Sequence, residues 1–336
     1  MEVKALKFKA LLVNEIVTDD KPVYKADIVE RQVTDLPAGE LLIRVKYSSL
    51  NYKDALSAHG NKGVTRQFPH TPGIDAAGVI VESSDSAFSV GDEVIVIGYD
   101  LGMNTSGGFA EYIRVPAGWA VACPQGLSLR ESMVIGTAGF TAALCVEKLL
   151  QNNLQPEQGP VLVSGATGGV GIFAVALLAK LGFEVVACTG KTDQETLLRQ
   201  LGASSIIDRA ELSEASPKPI LKEQWAGAVD VAGGELLANI IKSLKYGGSV
   251  ACCGLVASPQ FSTTVLPFIL RGVNLLGVDS VNLPLRKKQQ VWTQLAGAWK
   301  LQNLQELSSE ISFDQLNDQL VRLYCGESIG RVVLAI

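Results

Sequence analysis

Midway along the chain, Val161-Leu162-Val163-Ser164-Gly165-Ala166-Thr167-Gly168-Gly169-Val170-Gly171 joins a four-residue apolar run to an apolar helical pattern, and no other stretch limits the fold as much. Gly168 lets the backbone approach a pyrophosphate, and Gly171 lets a helix pack tightly on the strand. The helix N-terminus then offers unpaired N–H groups and the positive end of its dipole to phosphate oxygens. The helical pattern over residues 172–181 closes at Gly182, and Phe183-Glu184-Val185-Val186-Ala187-Cys188 follows as the next strand. A glycine turn with no ligand is the plainer reading of any Gly-rich string. The strand–turn–helix–strand order favours a bound dinucleotide. Ala166 stands at the first glycine position of G-x-G-x-x-G, and Gly165 beside it keeps the turn free to form.

The tip of the second strand bears on which dinucleotide. An NAD site usually carries Asp or Glu about 20 residues after the glycines, on the ribose 2′-hydroxyl. Here the strand ends Cys188-Thr189-Gly190-Lys191, with a hydroxyl and an ammonium where the acid would stand. A 2′-phosphate suits that pair, so the expected cofactor is NADP(H); the alternative for Lys191 is a solvated turn lysine. Arg209, just after Ile206-Ile207-Asp208, is placed to reach the same adenosine end.

At 336 residues the chain has the length of two domains. Its net charge of −5 and pI near 5.3, without a basic block, argue against nucleic acid as an obligatory partner. No apolar stretch reaches the ~20 residues of a membrane span. Residues 1–6 read as a loose lead-in to the first strand, without the apolar core of a signal peptide. The six cysteines (Cys123, Cys145, Cys188, Cys252, Cys253 and Cys325) form no C-x-x-C pair and read as small hydrophobes in a reducing compartment. The expectation is a soluble cytoplasmic protein with no membrane partner.

Strand-like runs at 8–13, 40–47, 76–82, 92–97 and 110–115, closely punctuated by Gly and Pro, predict a partly open barrel. From about residue 133 strand and helix alternate, with a helix around 136–144 and strands at 227–232, 248–254 and 273–278. That rhythm predicts a doubly wound parallel sheet. The strand at 331–335 is expected to rejoin the first domain, so residues 1–132 with 283–336 form one domain and 133–282 the other. The apolar strand at 273–278, near the sheet edge, suits pairing with its twin in a homodimer.

Four strings carry a family resemblance: Ser48-Ser49-Leu50-Asn51-Tyr52-Lys53-Asp54-Ala55-Leu56, Thr71-Pro72-Gly73-Ile74-Asp75-Ala76-Ala77-Gly78, Gly136-Thr137-Ala138-Gly139-Phe140-Thr141, and residues 264–273 with Gly277-Val278-Asp279-Ser280-Val281. Together they resemble the medium-chain dehydrogenase/reductase superfamily, in its branch of YhdH/YhfP-type quinone oxidoreductases, which includes NADPH-dependent acryloyl-CoA reductases. The resemblance implies an α/β fold: a GroES-like β-barrel catalytic domain plus a Rossmann domain with a doubly wound parallel sheet. It implies that Thr167, Gly168, Gly169 and Val170 cradle the pyrophosphate and that Thr189, Gly190 and Lys191 take the 2′-phosphate. It further places Arg209 near the adenosine, Gly254 and Leu255 beside the nicotinamide, and Ile269 and Ser280 at later cofactor contacts. Leu255 and Ile269 fit a plain core role equally well.

The resemblance also sets this chain apart from the superfamily's zinc alcohol dehydrogenases. Asn51 stands where those hold zinc with Cys, Gly73-Ile74-Asp75 replaces their Gly-His-Glu, and Gly136-Thr137 lies where a third ligand is expected. The loop from Gly98 to Gly108 lacks the cysteines of a structural zinc, and only His59 and His70 exist as histidines. His70 reads as a loop residue, and no metal is expected.

Without zinc, hydride addition to a C=C bond next to a carbonyl fits, because the charge spreads into an enolate. By resemblance Tyr52 contacts NADP and can donate to the enolate oxygen; Asp54 either orients Lys53 or Tyr52, or acts as a structural cap. Related enoyl-thioester reductases carry a proton-donating tyrosine in the loop after this helix. Here that loop is Ser57-Ala58-His59-Gly60-Asn61-Lys62-Gly63, so Tyr52, His59 or water must serve. Small-molecule acceptors follow: an enoyl-CoA such as acryloyl-CoA, or a quinone. Arg66, Arg286, Lys287 and Lys288 are candidates for CoA phosphates, or a solvated charge run. A different class, a non-catalytic NADPH-binding structural protein, is open on the same residues.

Overall fold

A computed structural model describes residues 6–19, 21–302 and 304–336, so the expected lead-in over 1–6 lies outside the described residues apart from Leu6. The chain forms two compact units. One comprises the residues up to Thr137 with Val281–Ala298 and Gln302–Ile336; the other comprises Ala138–Ser280 with Trp299–Leu301.

The first unit begins with β1 (Lys7–Thr18) and β2 (Lys21–Gln32), paired antiparallel along their whole length. Then come β3 (Leu41–Ser49), α1 (Tyr52–Ala58), β4 (Asp75–Ser83), β5 (Glu93–Ile97), β6 (Tyr112–Val115) and β7 (Ala120–Ala122). Helix α2 (Leu129–Gln151) starts in this unit and ends in the second. The second unit runs β8 (Val161–Ser164), α3 (Gly169–Lys180), β9 (Val185–Thr189), α4 (Glu195–Gln200), β10 (Ser205–Asp208) and α5 (Ala210–Ser213). It continues with β11 (Trp225–Asp230), α6 (Gly234–Ser243), β12 (Leu244–Cys252), α7 (Leu266–Arg271) and β13 (Asn274–Gly277). Finally α8 (Leu285–Ala296), β14 (Ser308–Ile311), α9 (Leu316–Tyr324) and β15 (Arg331–Ala335) return to the first unit.

In the first unit β14-β15-β3-β4-β5-β7 form one sheet, with β6 also on β3. The returning strand pairs antiparallel with β3 through Val333↔Ser49 and Leu334↔Ser48, which sets Arg331 beside the corner where β3 turns into α1. That corner is anchored by packing. Ala55 and Ala58 of α1 bury against Leu316 and Leu320 of α9, with Leu50, Phe109 and Val332 beneath. Each fully buried large apolar side chain contributes on the order of 2 kcal/mol. Strand β2 was not foreseen, because its half-exposed alternation offers no apolar run to read.

The six strands of the second unit run parallel in the order β10-β9-β8-β11-β12-β13. Numbered from β8, this is the order 3-2-1-4-5-6 of a doubly wound dinucleotide fold. The order reverses between β8 and β11, and ligands of such sheets sit outside the carboxyl ends of the strands at that switch point. Helix α3 is apolar on nearly all sides, and residues 171–175 with Leu177 and Leu178 are buried.

Helix α2 is 23 residues long and apolar enough to span a membrane by composition, although no unbroken apolar run shows this in the sequence. Most of that window, 78%, is buried inside the protein, as in a core helix.

Candidate functional site

The candidate site residues form two constellations, one in each unit. In the second unit the site is the turn after β8. Gly165 turns the chain with φ +57°, and the N–H groups of Gly169, Val170 and Gly171 open α3, where a helix has no internal acceptor for them. Gly171 works at close range. A Cβ there would stand 2.2 Å from the Gly165 carbonyl oxygen and 2.7 Å from the Ala166 Cα. The close packing expected of Gly171 is therefore against the turn itself rather than along the strand.

Across the switch point, Ser164 Oγ donates to Asp230 Oδ1 at 2.7 Å, and Asp230 accepts the N–H groups of Ala232 and Gly233. Burial raises the Asp230 pKa, and these donors oppose the rise. The carboxyl ends of β8 and β11 are thus tied together where a ligand would lie.

At the tip of β9, Thr189 is buried; its hydroxyl lies 3.0 Å from Thr167 Oγ1 and accepts the Lys191 N–H at 3.0 Å. It braces the turn after β8 to the β9 tip instead of standing free. Gly190, Lys191 and Arg209 stand beside it, at and next to the β9 tip. Arg209 lies against Gly190: a Cβ on that glycine would stand 3.1 Å from its Nη2. Elsewhere in the unit, Ser280 is buried and accepts from Thr141 Oγ1 at 2.9 Å. Leu255 and Ile269 are 58% and 69% exposed, which removes the core alternative for both.

In the first unit the positions where zinc relatives place their ligands converge on one carboxylate. Asp75 Oδ2 accepts from Ser49 Oγ (2.6 Å), Asn51 Nδ2 (2.8 Å) and the Thr137 N–H (2.9 Å). Its Oδ1 accepts from Thr137 Oγ1 at 2.5 Å. Arg331 completes the cluster. Its Nε donates to the Val134 carbonyl, its Nη1 to the Leu50 carbonyl and Asn51 Oδ1, and its Nη2 lies 3.7 Å from Asp75. Helix α2 reaches this cluster only because Gly136 adopts φ 50°, ψ −162°, which kinks it. Its α-carbon lies so close that a Cβ would meet Asp75, Ser49 and Arg331 within 2.7 Å.

The zinc that one branch of this fold family holds does not fit these residues. The Asp75 oxygens are taken by four donors, a guanidinium is the nearest cation, and neither thiolate nor imidazole is offered. Among the described residues no three His, Cys, Asp or Glu side chains form a metal site.

Asp54 is a structural cap. Wholly buried, it accepts the Asn51 N–H at 2.8 Å, reaching back over the start of α1, and the N–H groups of Gly73 (3.1 Å) and Ile74 (2.8 Å). Burial, and then the Asp75 charge, push its carboxyl up to about 7 against those donors. It therefore orients neither Lys53 nor Tyr52 directly. Tyr52 and Lys53, the first two residues of α1, are half-buried on its open face.

His59 caps the other end of α1, with Nδ1 2.8 Å from the Ala55 carbonyl and its ring stacked on Tyr324 at 4.0 Å. His70 is buried, as a loop residue whose Nε2 meets the Gly102 carbonyl at 2.9 Å. Lys288, a candidate for CoA phosphates, is also fully buried. It donates to the carbonyls of Ile97 and Val281 and lies 3.5 Å from the Tyr99 ring centroid. Its charge faces carbonyl dipoles and a ring, so that reading is withdrawn; Arg66 and Arg286 are exposed and Lys287 half-buried. Sequence reading missed Arg331, whose only sign was a charged residue opening an apolar strand.

Comparison with known proteins agrees with this layout. The family described as the alcohol dehydrogenase GroES-like domain matches residues 37–125, and that described as zinc-binding dehydrogenase matches residues 169–297. YhfP of Bacillus subtilis, named for quinone oxidoreduction, is 46% identical over 89% of this chain and 91% of its own. Its crystal structure with NAD bound covers 99% of this chain and all of its own, with a TM-score of 0.94 at 43% identity. The acrylyl-CoA reductase AcuI of Ruegeria pomeroyi is 41% identical over 97% of this chain and 98% of its own. The yhdH oxidoreductase of Salmonella enterica, crystallised with NADP, is 41% identical with a TM-score of 0.93, over 98% of this chain and 99% of its own. The chain belongs to the medium-chain dehydrogenase/reductase superfamily, in the branch of YhfP, AcuI and YhdH.

Proposed function

We propose that this protein is a zinc-independent, NADPH-dependent reductase of an activated C=C bond, converting acryloyl-CoA to propanoyl-CoA. The observation that carries the reading is the Asp75 network. It fills the zinc-ligand positions with side chains hydrogen-bonded to one carboxylate, so the chemistry has to suit a hydride donor without Lewis-acid help. Conjugate reduction does, because its negative charge spreads over an enolate.

NADPH, when bound, supplies the hydride. The N–H groups opening α3 hold its pyrophosphate, with Thr167 held in place by Thr189. Lys191 and Arg209 face the 2′-phosphate, where charge-assisted hydrogen bonds distinguish it from a hydroxyl. Leu255, being exposed, is left to the nicotinamide side, and Ile269 and Ser280 to further contacts with the cofactor. Tyr52 contributes a phenol that donates to the carbonyl oxygen of the acceptor. Exposed β13, with Leu275 at 38%, and the neighbouring Val265, Ile269 and Leu270 support a homodimer built edge to edge. The six unpaired thiols support a cytoplasmic setting.

Quinone reduction is the second reading, favoured by the similarity to YhfP. The test is NADPH oxidation with acryloyl-CoA, crotonyl-CoA and a benzoquinone in parallel. Fastest turnover of acryloyl-CoA is expected. Quinone turnover alone would replace the thioester reading, and NADPH binding without any turnover would leave a non-catalytic binding protein.

A further inference from the structure

Three thiols gather at the carboxyl ends of the strands in the second unit, two from the end of β12 and one from α2. Helix α2 turns one face toward them. Thr141 bonds Ser280, Lys148 donates to the Gly277 carbonyl, and Cys145 lies between the two on that face. Residues three and four apart on a helix share a face, which puts positions 141, 145 and 148 in one row. Gly277 is the register partner of Cys252, so the row lies over the end of β12. There Cys145, fully buried, hydrogen-bonds the thiol of Cys253.

The other two thiols are half-buried, and both touch Asp230. Cys253 Sγ donates to the Asp230 carbonyl at 3.4 Å, and Cys252 Sγ lies 4.0 Å from Asp230 Oδ2. With the Cys253 proton on that carbonyl, Cys145 is the donor between the two sulfurs. The bond to Cys253, and then burial, push the Cys145 thiol up; burial, and then the Asp230 charge, push Cys252 up to about 11. What the cluster offers is therefore proximity more than speed. The fold already holds two sulfurs from distant segments together, so joining them there orders no further chain. Successive side chains at the end of a strand point to opposite faces, and it is Cys253 that meets Cys145.

We propose that Cys145 and Cys253 are a reversible disulfide site, closed by exchange with a small-molecule disulfide, and that closing it weakens NADPH binding. Only Cys253 has to be reached from solvent. Its sulfur, as the thiolate, attacks one sulfur of the small disulfide; that S–S bond breaks and one thiolate leaves. The Cys145 sulfur gives up its proton, attacks the Cys253 sulfur from within and expels the second thiolate. The protein loses two electrons and two protons, and the small disulfide becomes two thiols. Excess small thiol reverses both steps. In a reducing compartment such a bond is transient and senses redox state. The coupling to the nucleotide runs through Asp230. Turning Cys253 toward Cys145 takes its hydrogen bond from the residue that holds Ser164 and the N–H groups of Ala232 and Gly233.

The test incubates the whole chain with oxidised glutathione, alkylates the remaining thiols under denaturing conditions and maps the peptides by mass spectrometry. A Cys145–Cys253 crosslink is expected, with the exposed Cys325 carrying only a glutathione adduct. Cys253→Ser and Cys145→Ala should each abolish the crosslink, and Cys252→Ser should keep it. NADPH affinity, followed by its fluorescence, should fall by about tenfold in the crosslinked protein and recover in dithiothreitol, an ordinary size for coupling between two sites. Full alkylation of Cys145 and Cys253 in the wild type would overturn the site, as would a Cys252–Cys253 bond in its place. The wild-type map decides this even where a variant fails to fold. Unchanged NADPH affinity in the crosslinked protein would overturn the coupling.

Discussion

The guanidinium of Arg331 lies 3.7 Å from the carboxylate of Asp75, with 3% and 0% of the two side chains exposed. The pair joins the last strand of the chain to the start of β4, and through Asn51 and Val134 it reaches the starts of α1 and α2. Burial pulls the Arg331 pKa down, and the charges of Asp75 and Asp54 offset only part of the fall. The cost of desolvating such groups is recovered only while all partners are present.

Removing one partner should therefore be expensive. Arg331→Met and Asp75→Asn are each expected to destabilise the first unit by about 3–5 kcal/mol. The urea midpoint of that unit's transition measures it, and a shift below about 1 kcal/mol in both variants would contradict the account of the network.

Gly136 is the second sensitive point. Alanine there would carry a Cβ into Asp75, Ser49 and Arg331 on a backbone at φ 50°. Gly136→Ala should cost about 1–3 kcal/mol or straighten the kink and release Thr137 from Asp75. Loss of turnover together with a lower urea midpoint is the expected pattern; wild-type behaviour in both would show that the kink is dispensable.

Asp54 predicts a pH dependence. Its carboxyl, pushed up to about 7 by burial and by Asp75, holds its proton more tightly folded than unfolded. In the unfolded chain aspartate titrates near ~3.9. Its stabilising contribution is complete below that value and is lost as pH rises through about 7. Urea midpoints measured across this window should fall more steeply for wild type than for Asp54→Asn, which cannot titrate. Parallel profiles would assign the slope to other groups.

The β9 tip predicts cofactor preference. Lys191→Ala and Arg209→Ala should each weaken NADPH binding by about 10–100-fold, the worth of one charge-assisted hydrogen bond. NADH binding should be nearly unchanged. Titration of both nucleotides decides it, and equal constants for the two in wild type would sink the 2′-phosphate assignment.

Edge pairing through β13 makes the last prediction. A charge at Leu275, as in Leu275→Lys, should shift the protein from dimer to monomer in sedimentation while its fold, read by circular dichroism, persists. A wild type that sediments as a monomer would refute the pairing.

Much of the second unit was legible because its signals are local. The apolar run at 161–164, the turn glycines and the acid-free tip at Thr189-Gly190-Lys191 each lie within a few residues of what they build. The first unit was harder. Strand β2 alternates half-exposed residues and finds its partner only in β1. Lys288 belongs to a charge run in the sequence and to the core in the fold.

By itself the sequence determined the parallel dinucleotide-type sheet, the return of the last strand to the first unit, and the lack of zinc-binding side chains at the expected positions. Those depend on hydrophobic period, glycine placement and side-chain chemistry, all short-range properties. Only the tertiary structure decided what replaces the ligands. Asn51, Asp75, Thr137 and Arg331 are separated by 24, 62 and 194 positions, yet meet in one buried hydrogen-bond network. A charge buried that deeply is tolerated only where its partners converge from distant segments, and no local pattern records where they will meet.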